Sequence, residues 1–334
     1  MEQDKKPADD KSSKSYDQVL REQLITAAED MAQDDVGMLN LKIAGTAVRE
    51  LHQAFAVFRP FIQRRKVTIF GSARTPEDSE LYEAARAVAE ELSTHDWMTV
   101  TGAGPGIMRA GMEGAGWGNS LGVTIQLPFE DSEGAALTEA GNVSSMKYFF
   151  TRKLMLCKES HAFVCMPGGF GTQDETFEQL TLMQTGKASI APLVLLDAPG
   201  MSYWSDWMAW CEKHLGDGGF IDKEDLSFLH LAESWEDAAD HIARFYSVYD
   251  SMRWAGDRLI IRTSSALSDE KLEELNDSFS HLCTRGVIER TVVSRGEERD
   301  RELLDYERIA LRFDKKNNGG LRRMIDVINR TNDV

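Results

Sequence analysis

The chain has 334 residues, 42% of them hydrophobic, which suffices for one large α/β domain with additions or for two domains. A formal net charge of −17 leaves no general electrostatic footprint for a nucleic-acid polymer or an anionic membrane, so any phosphate ligand must be captured by a local site. No apolar run approaches the ~20 residues needed to span a bilayer, and the N-terminus lacks the apolar stretch of a secretory signal. Four widely spaced cysteines, Cys157, Cys165, Cys211 and Cys283, form no C-x-x-C pair and read as reduced thiols of a soluble, cytoplasmic protein. The seven histidines show no metal-ligand spacing, so neither a metal nor a cofactor is expected.

In chain order, residues 1–20 are rich in Lys, Asp and Ser and are expected to be a disordered tail. Residues 21–64 carry a helical pattern, with Leu39, Leu41, Val48, Leu51, Phe55 and Phe58 available for packing and a break near Pro60. This reads as a helical arm. From 65 to 248 strands and helices alternate. Val67–Phe70, Met98–Thr101, Leu121–Ile125, Ala162–Met166 and Leu193–Leu196 are apolar runs suited to buried strands, and helical patterns separate them. One of these helices is expected to run from Met146 through Met155. Repeated βα units predict an α/β protein with a doubly wound parallel sheet, its ligand at the carboxyl ends of the strands. Residues 249–334 read as β-α-β-β-α, a small C-terminal α+β domain with no assigned role. There Lys315, Lys316, Arg322 and Arg323 flank Asn317–Gly320 and read as a solvated basic turn, a regulatory anion site being the alternative.

The most informative segment is Pro167-Gly168-Gly169-Phe170-Gly171-Thr172-Gln173-Asp174-Glu175. It lies between an apolar strand and a helical pattern, the arrangement that aims backbone N–H groups and a positive helix end at an anion. Glycines let a phosphate approach the backbone where a Cβ would hold it off. Thr172 and Glu175 are also three apart, as a capping box requires. The segment therefore reads either as a phosphate cradle with an acidic residue one turn away, or as a helix cap.

Two further glycine turns follow strands, Gly71-Ser72 and Gly102-Ala103-Gly104-Pro105-Gly106, and a doubly wound sheet brings such turns to one crevice. The second departs from the G-x-G-x-x-G spacing of a dinucleotide fold, and neither Gln126 nor Glu130 beyond Pro128 supplies its ribose-binding acid convincingly. Arg152 and Lys153 sit amid apolar neighbours, Tyr148-Phe149-Phe150 and Leu154-Met155-Leu156, and cations there need a carboxylate or an anionic ligand. Glu175 and Glu178 share a helix face and are expected to point into the same cleft.

Together, Gly-Ser-Ala-Arg at 71–74, Thr-Gly-Ala-Gly-Pro-Gly-Ile-Met at 101–108, Tyr-Phe-Phe-Thr-Arg-Lys at 148–153, the 167–175 motif and Leu-Met-Gln-Thr-Gly-Lys at 182–187 resemble the LOG family. These are Rossmann-like nucleotide phosphoribohydrolases, long labelled lysine decarboxylases, and the similarity spans about residues 65–248. The resemblance implies hydrolysis of the N-glycosidic bond of a nucleoside 5′-monophosphate to free base and ribose 5-phosphate. It also implies a homodimer with the site near the subunit interface. By the same resemblance Gly168, Gly169, Gly171 and Thr172 bind the phosphate, and Arg152 and Glu175 are the catalytic pair. Gly71, Ser72, Gly102, Gly104, Gly106, Met146, Lys153, Pro167 and Glu178 complete the expected substrate-binding set. Plant-type members read H-E-R-K where this chain reads Phe150-Thr151-Arg152-Lys153, so the His-Glu pair tied to cytokinin-type bases is missing.

Chemically, departure of the base develops oxocarbenium character that a carboxylate at Glu175 stabilises while orienting water. Arg152 holds its proton too firmly to be a good acid and serves as an electrostatic clamp. Solvent or Asp174 supplies the proton to the base. A nucleotide carrier that keeps the cradle without turnover is the competing reading. A pyridoxal-phosphate decarboxylase would need a Schiff-base lysine in a cofactor cradle, and no such pattern surrounds Lys147, Lys153 or Lys158.

Overall fold

The structure, a computed structural model, describes residues 15–126 and 142–330. The chain divides into two compact units, Met1–His52 and Gln53–Val334. Helix α1 (Tyr16–Gln33) starts on a capping box in which Ser15 accepts from the Gln18 backbone and the Gln18 side chain accepts from Ser15. That reciprocal cap makes residues 16–20 helical, where composition alone suggested a disordered tail; residues 1–14 lie outside the described part. A break at Asp34–Gly37, with Gly37 at φ +84°, separates α1 from α2 (Met38–Phe58). Pro60 then sits in a short 3₁₀ turn, Arg59–Phe61.

The second unit is built on a seven-stranded parallel sheet of β1 (Lys66–Phe70), β2 (Met98–Thr101), β3 (Ser120–Ile125), β4 (Val143–Met146), β5 (Ala162–Cys165), β6 (Leu193–Leu196) and β7 (Leu229–Ala232). Its order is β4-β3-β2-β1-β5-β6-β7. The chain thus winds outward from β1 in one direction and then returns to β5 on its other side. The β1/β5 boundary is the switch point, where connections diverge and leave a crevice at the strand ends. Strands β1, β2, β5 and β6 are buried along their whole length, as continuous apolar runs between two helical layers require. Met146 ends β4 and is buried; it does not begin a helix as the sequence pattern suggested, because an edge strand of sequence Val-Ser-Ser-Met carries no apolar run.

Helices α3 (Glu80–Thr94), α4 (Ile107–Ala115), α5 (Phe149–Lys158), α6 (Phe170–Gln184), α7 (Tyr203–Cys211) and α8 (Trp235–Phe245) accompany the sheet. The pair α3/α4 packs so closely that a Cβ on Gly114 would lie 2.0 Å from the Arg86 carbonyl oxygen. Gly114→Ala must therefore push two backbones apart, and we expect a loss of about 1–3 kcal/mol in urea unfolding. An unchanged midpoint would show that the helices separate freely.

The remaining strands, β8 (Tyr249–Ala255), β9 (Arg258–Thr263), β10 (Glu289–Arg290) and β11 (Glu307–Leu311), form an antiparallel sheet of order β10-β11-β9-β8. With it come α9 (Asp269–Phe279), α10 (Arg295–Asp300) and α11 (Asn318–Asn329). This sheet shares one compact unit with the parallel sheet. Helix α11 connects them: the Asn318 side-chain amide donates to the carbonyl of Gln184, the last residue of α6, at 2.9 Å. The basic turn is not simply solvated. Arg322 is buried, paired with Asp326 and lying over the Phe245 ring, while Arg323 pairs with Glu224 at 2.9 Å. The apolar α8 surface supplies the burial that charge clustering in the sequence does not reveal.

Candidate active site

Three strand-end turns are stitched together at the switch point. The Ser72 N–H donates to the Pro167 carbonyl (3.3 Å), and the Ile107 N–H donates to the Ser72 carbonyl (3.1 Å). Their closeness explains several glycines. A Cβ on Gly71 would strike Ile107 at 2.6 Å, and one on Gly106 would lie 2.4 Å from the Ser72 carbonyl oxygen, at a backbone φ of +65°. Beside these turns lies a cleft of about 840 Å³.

One wall of the cleft is the start of α6. Gly169 is its N-cap, and no side chain caps it. The expected capping box is absent, because the helix begins at Phe170 and places Thr172 inside the first turn. The first helical bond is Gln173 N–H to the Gly169 carbonyl, at 3.2 Å. The N–H groups of Phe170, Gly171 and Thr172 are therefore left without intrahelical partners. Gly168 has a packing reason to be glycine, since its Cβ would fall 2.2 Å from Thr172 Oγ1. Gly169 and Gly171 have none: a Cβ on either would meet no atom of the described residues within 4 Å, and neither has positive φ. Both line the cleft. Among the described residues, nothing fills the space above them.

The other wall brings Arg152 of α5 against Glu175 of α6, with Nη1 and Oε1 3.4 Å apart. Their side chains are only 11% and 12% exposed. The Arg152 Nε–H donates to the Val123 carbonyl within β3 (2.9 Å), which fixes the guanidinium. Gly102 lies against it; a Cβ there would come within 2.0 Å of Arg152 Nη2. Burial pushes the Glu175 carboxyl up to about 7, against the opposing pull of the Arg152 and Lys153 charges. Burial likewise lowers the Arg152 pKa, offset in part by Glu175. A carboxyl poised near neutrality beside a guanidinium is able to hold charge, orient water or exchange a proton.

Of the residues singled out in the sequence, Gly71, Ser72, Arg152, Gly168, Gly169, Gly171, Thr172 and Glu175 line the cleft. Gly102, Gly104, Gly106, Met146 and Pro167 are not in its lining; they shape what lies behind it. Gly104 leaves room for the Met108 methyl, and Met146 is buried at the end of β4. Lys153 and Glu178 also face elsewhere. Lys153 Nζ pairs with Asp174 (2.8 Å) and Glu178 (2.9 Å), so Glu178 does not share the cleft with Glu175. Burial pulls Lys153 down, but these two carboxylates outweigh it and raise its pKa. The two glutamates lie nearly a full turn apart on α6, and the rotation left over is enough to put them on different neighbours.

Six cleft-lining residues went unassigned in the sequence: Ala73, Arg74, Met108, Phe170, Gln173 and Tyr203. Arg74 follows the turn after β1 and has no carboxylate partner among the described residues. Its place in the Gly-Ser-Ala-Arg turn was the available signal. Tyr203 comes from α7, beyond β6, and nothing local marks it. Thr151 is buried with its hydroxyl donating to the Tyr148 carbonyl (2.9 Å), and Phe150 is exposed, so neither is in the cleft lining. Glu130, weighed as a ribose-binding acid, lies outside the described residues.

A parallel sheet with a switch-point cleft, an uncapped helix start and a buried Arg–Glu pair defines a Rossmann-like α/β protein with an anion-receptive site. The family model described as "possible lysine decarboxylase" matches residues 105–242. A probable cytokinin riboside 5′-monophosphate phosphoribohydrolase of Oryza sativa subsp. japonica is 31% identical over 178 residues, 52% of this chain and 74% of that protein. The chain belongs to the LOG family. A pyrimidine/purine nucleotide 5′-monophosphate nucleosidase of Escherichia coli K12 is 27% identical over 143 residues, 39% of this chain and 30% of that protein. Among solved structures, the Moco carrier protein from Chlamydomonas reinhardtii aligns with a TM-score of 0.38 at 18% identity, covering 55% of this chain and 97% of that one. No helix among the described residues is long and apolar enough to cross a membrane.

Proposed function

We propose that the protein hydrolyses the N-glycosidic bond of nucleoside 5′-monophosphates, releasing the free base and ribose 5-phosphate. The observation that carries this reading is the buried Arg152–Glu175 pair in a cleft that also holds an uncapped helix start. The names of the rice and E. coli relatives support it.

In this reading the phosphate sits on the free N–H groups at the start of α6, above Gly169 and Gly171, with Arg74 supplying a positive charge. Anchoring the phosphate positions the ribose, so binding energy remote from the reacting carbon serves the chemical step. The C1′–N bond breaks, its electron pair leaves with the base, and the sugar takes on oxocarbenium character. Glu175, as carboxylate, stabilises that charge, orients the water whose oxygen bonds to C1′ and accepts that water's proton before releasing it to solvent. Arg152 holds Glu175 in place and clamps developing negative charge. The departing base takes its proton from solvent, because Asp174 is 61% exposed, engaged by Lys153 and outside the cleft lining. A homodimer belongs to the same reading, supported by the exposed apolar side chains Phe149, Phe150 and Leu154 on α5.

A panel of nucleoside 5′-monophosphates and the matching nucleosides tests the reading. The expected outcome is base release from one or more monophosphates, with kcat/KM at least ~100-fold lower for the nucleosides because the anchor is lost. Tight binding of monophosphates without release of any base would instead make the protein a nucleotide carrier.

A further inference from the structure

Tyr203 is a cleft-lining residue that the proposed chemistry does not use. Its hydroxyl donates to the Gly168 carbonyl at 2.7 Å and accepts from the Gln173 side-chain amide at 2.6 Å. The direction of this chain is set at one end. The Gly168 carbonyl only accepts, so the phenol proton goes to it and the phenol oxygen takes its second bond from the Gln173 amide. The Gln173 bond is short and the phenol–carbonyl bond of ordinary length, and each polarises the next.

The carbonyl held in this way belongs to the peptide between Gly168 and Gly169. Two consecutive glycines flank it, so no Cβ on either side fixes its orientation, although Gly168 itself packs against Thr172. In a trans peptide the carbonyl and the following N–H point in opposite directions, so the orientation of one fixes the other. A rotated peptide would turn an oxygen lone pair towards a bound anion and withdraw an N–H. Among the described residues this stretch has no other side-chain restraint beyond Gly168: the α6 N-cap receives no side-chain bond, and a Cβ on Gly169 or Gly171 would meet nothing within 4 Å.

We propose that Tyr203 is a positioning residue for the phosphate, locking the Gly168–Gly169 peptide with its carbonyl turned away from the anion and itself held by Gln173. The proposal rests on the phosphate assignment above but not on turnover. Tyr203→Phe removes the lock and keeps the ring, while Gln173→Leu keeps the phenol, removes its support and changes one cleft-lining side chain.

The test measures binding of ribose 5-phosphate and AMP by calorimetry, together with kcat and KM for any monophosphate that is cleaved and thermal unfolding of each variant. Loss of one neutral hydrogen bond of the usual net strength predicts ~5- to 10-fold weaker binding of both ligands in Tyr203→Phe. The same factor should appear mainly in KM, and Gln173→Leu should give a smaller change of the same sign. If the parent binds AMP but cleaves nothing while Tyr203→Phe binds it more weakly, the lock stands and the hydrolase reading falls. Unchanged binding in Tyr203→Phe, even with a lowered melting temperature, would reduce Tyr203 to a packing role and overturn the proposal. Weakened binding in Tyr203→Phe with none in Gln173→Leu would also overturn it, in favour of direct contact between the phenol and the phosphate. Failure of the folded parent to bind either ligand would overturn both assignments.

Discussion

Glu175→Gln is expected to lower kcat by roughly 10²–10³-fold while leaving monophosphate binding within a few-fold of the parent. The amide keeps the size of the side chain and removes the charge that the proposed mechanism places beside the sugar in the transition state. The pH profile makes the assignment specific. Burial holds the Glu175 carboxyl near 7, well above the ordinary 4.5, so the ionised form accumulates only through neutrality. A carboxylate role therefore predicts that kcat rises with pH through about 7 and that this limb vanishes in the glutamine variant. A rate that falls through the same range would mean that Glu175 acts as the protonated acid.

The same shift has a consequence for stability. Between 4.5 and 7 the folded protein keeps a proton on Glu175 that the unfolded chain has already released. Stability contributed by this group is therefore greatest below 4.5 and declines as pH rises to 7, by about 3 kcal/mol in all. Glutamine carries no such dependence. Urea unfolding at pH 5 and pH 8 should show Glu175→Gln gaining on the parent as pH rises, and a constant difference would show that burial does not govern the group.

Arg152→Lys is expected to be nearly as damaging as Arg152→Ala, with kcat/KM down roughly 10²-fold. The guanidinium is held by the Val123 carbonyl through Nε, faces Glu175 through Nη1 and rests with Nη2 against Gly102. An ammonium is a single point of charge and does not reproduce that spread of contacts. Arg152→Ala also removes the charge that most opposes the upward shift of Glu175, so the ascending pH limb should move above 7. Gly102→Ala offers a variant that leaves Arg152 in the sequence: its methyl would lie 2.0 Å from Nη2 and 2.7 Å from Met108 Sδ. A loss of activity there, with near-parental stability, would locate the defect in the position of the guanidinium. Full activity in Arg152→Lys would leave only its charge as the requirement.

The central strands were legible because parallel strands buried on both faces read as largely apolar runs, as Leu193–Leu196 does throughout and Val67–Phe70 does apart from Thr68. The edge strands were not. Val143–Met146 and Leu229–Ala232 are short, mixed in polarity and recognisable only once a neighbouring strand offers them partners. The same holds for β8, most of whose residues are only half-buried. At the site, Arg152 and Glu175 drew notice through local oddities, a cation among aromatics and an acid after a glycine turn, and the fold brings them face to face. The capping reading failed on register, since three residues decide whether Thr172 caps the helix or belongs to its first turn. Lys153 was drawn aside by Asp174 and Glu178, a choice among three nearby carboxylates that spacing does not settle. Tyr203 reaches Gly168 across 35 positions of sequence, a contact that exists only in the folded crevice.

The most direct test of the account is to incubate parent and Glu175→Gln protein with a nucleoside 5′-monophosphate and quantify free base and ribose 5-phosphate together. The account predicts the two products in equal amounts from the parent, and almost none from a folded variant that still binds the nucleotide. Free nucleoside and inorganic phosphate as products, or equal base release by the variant, would contradict it.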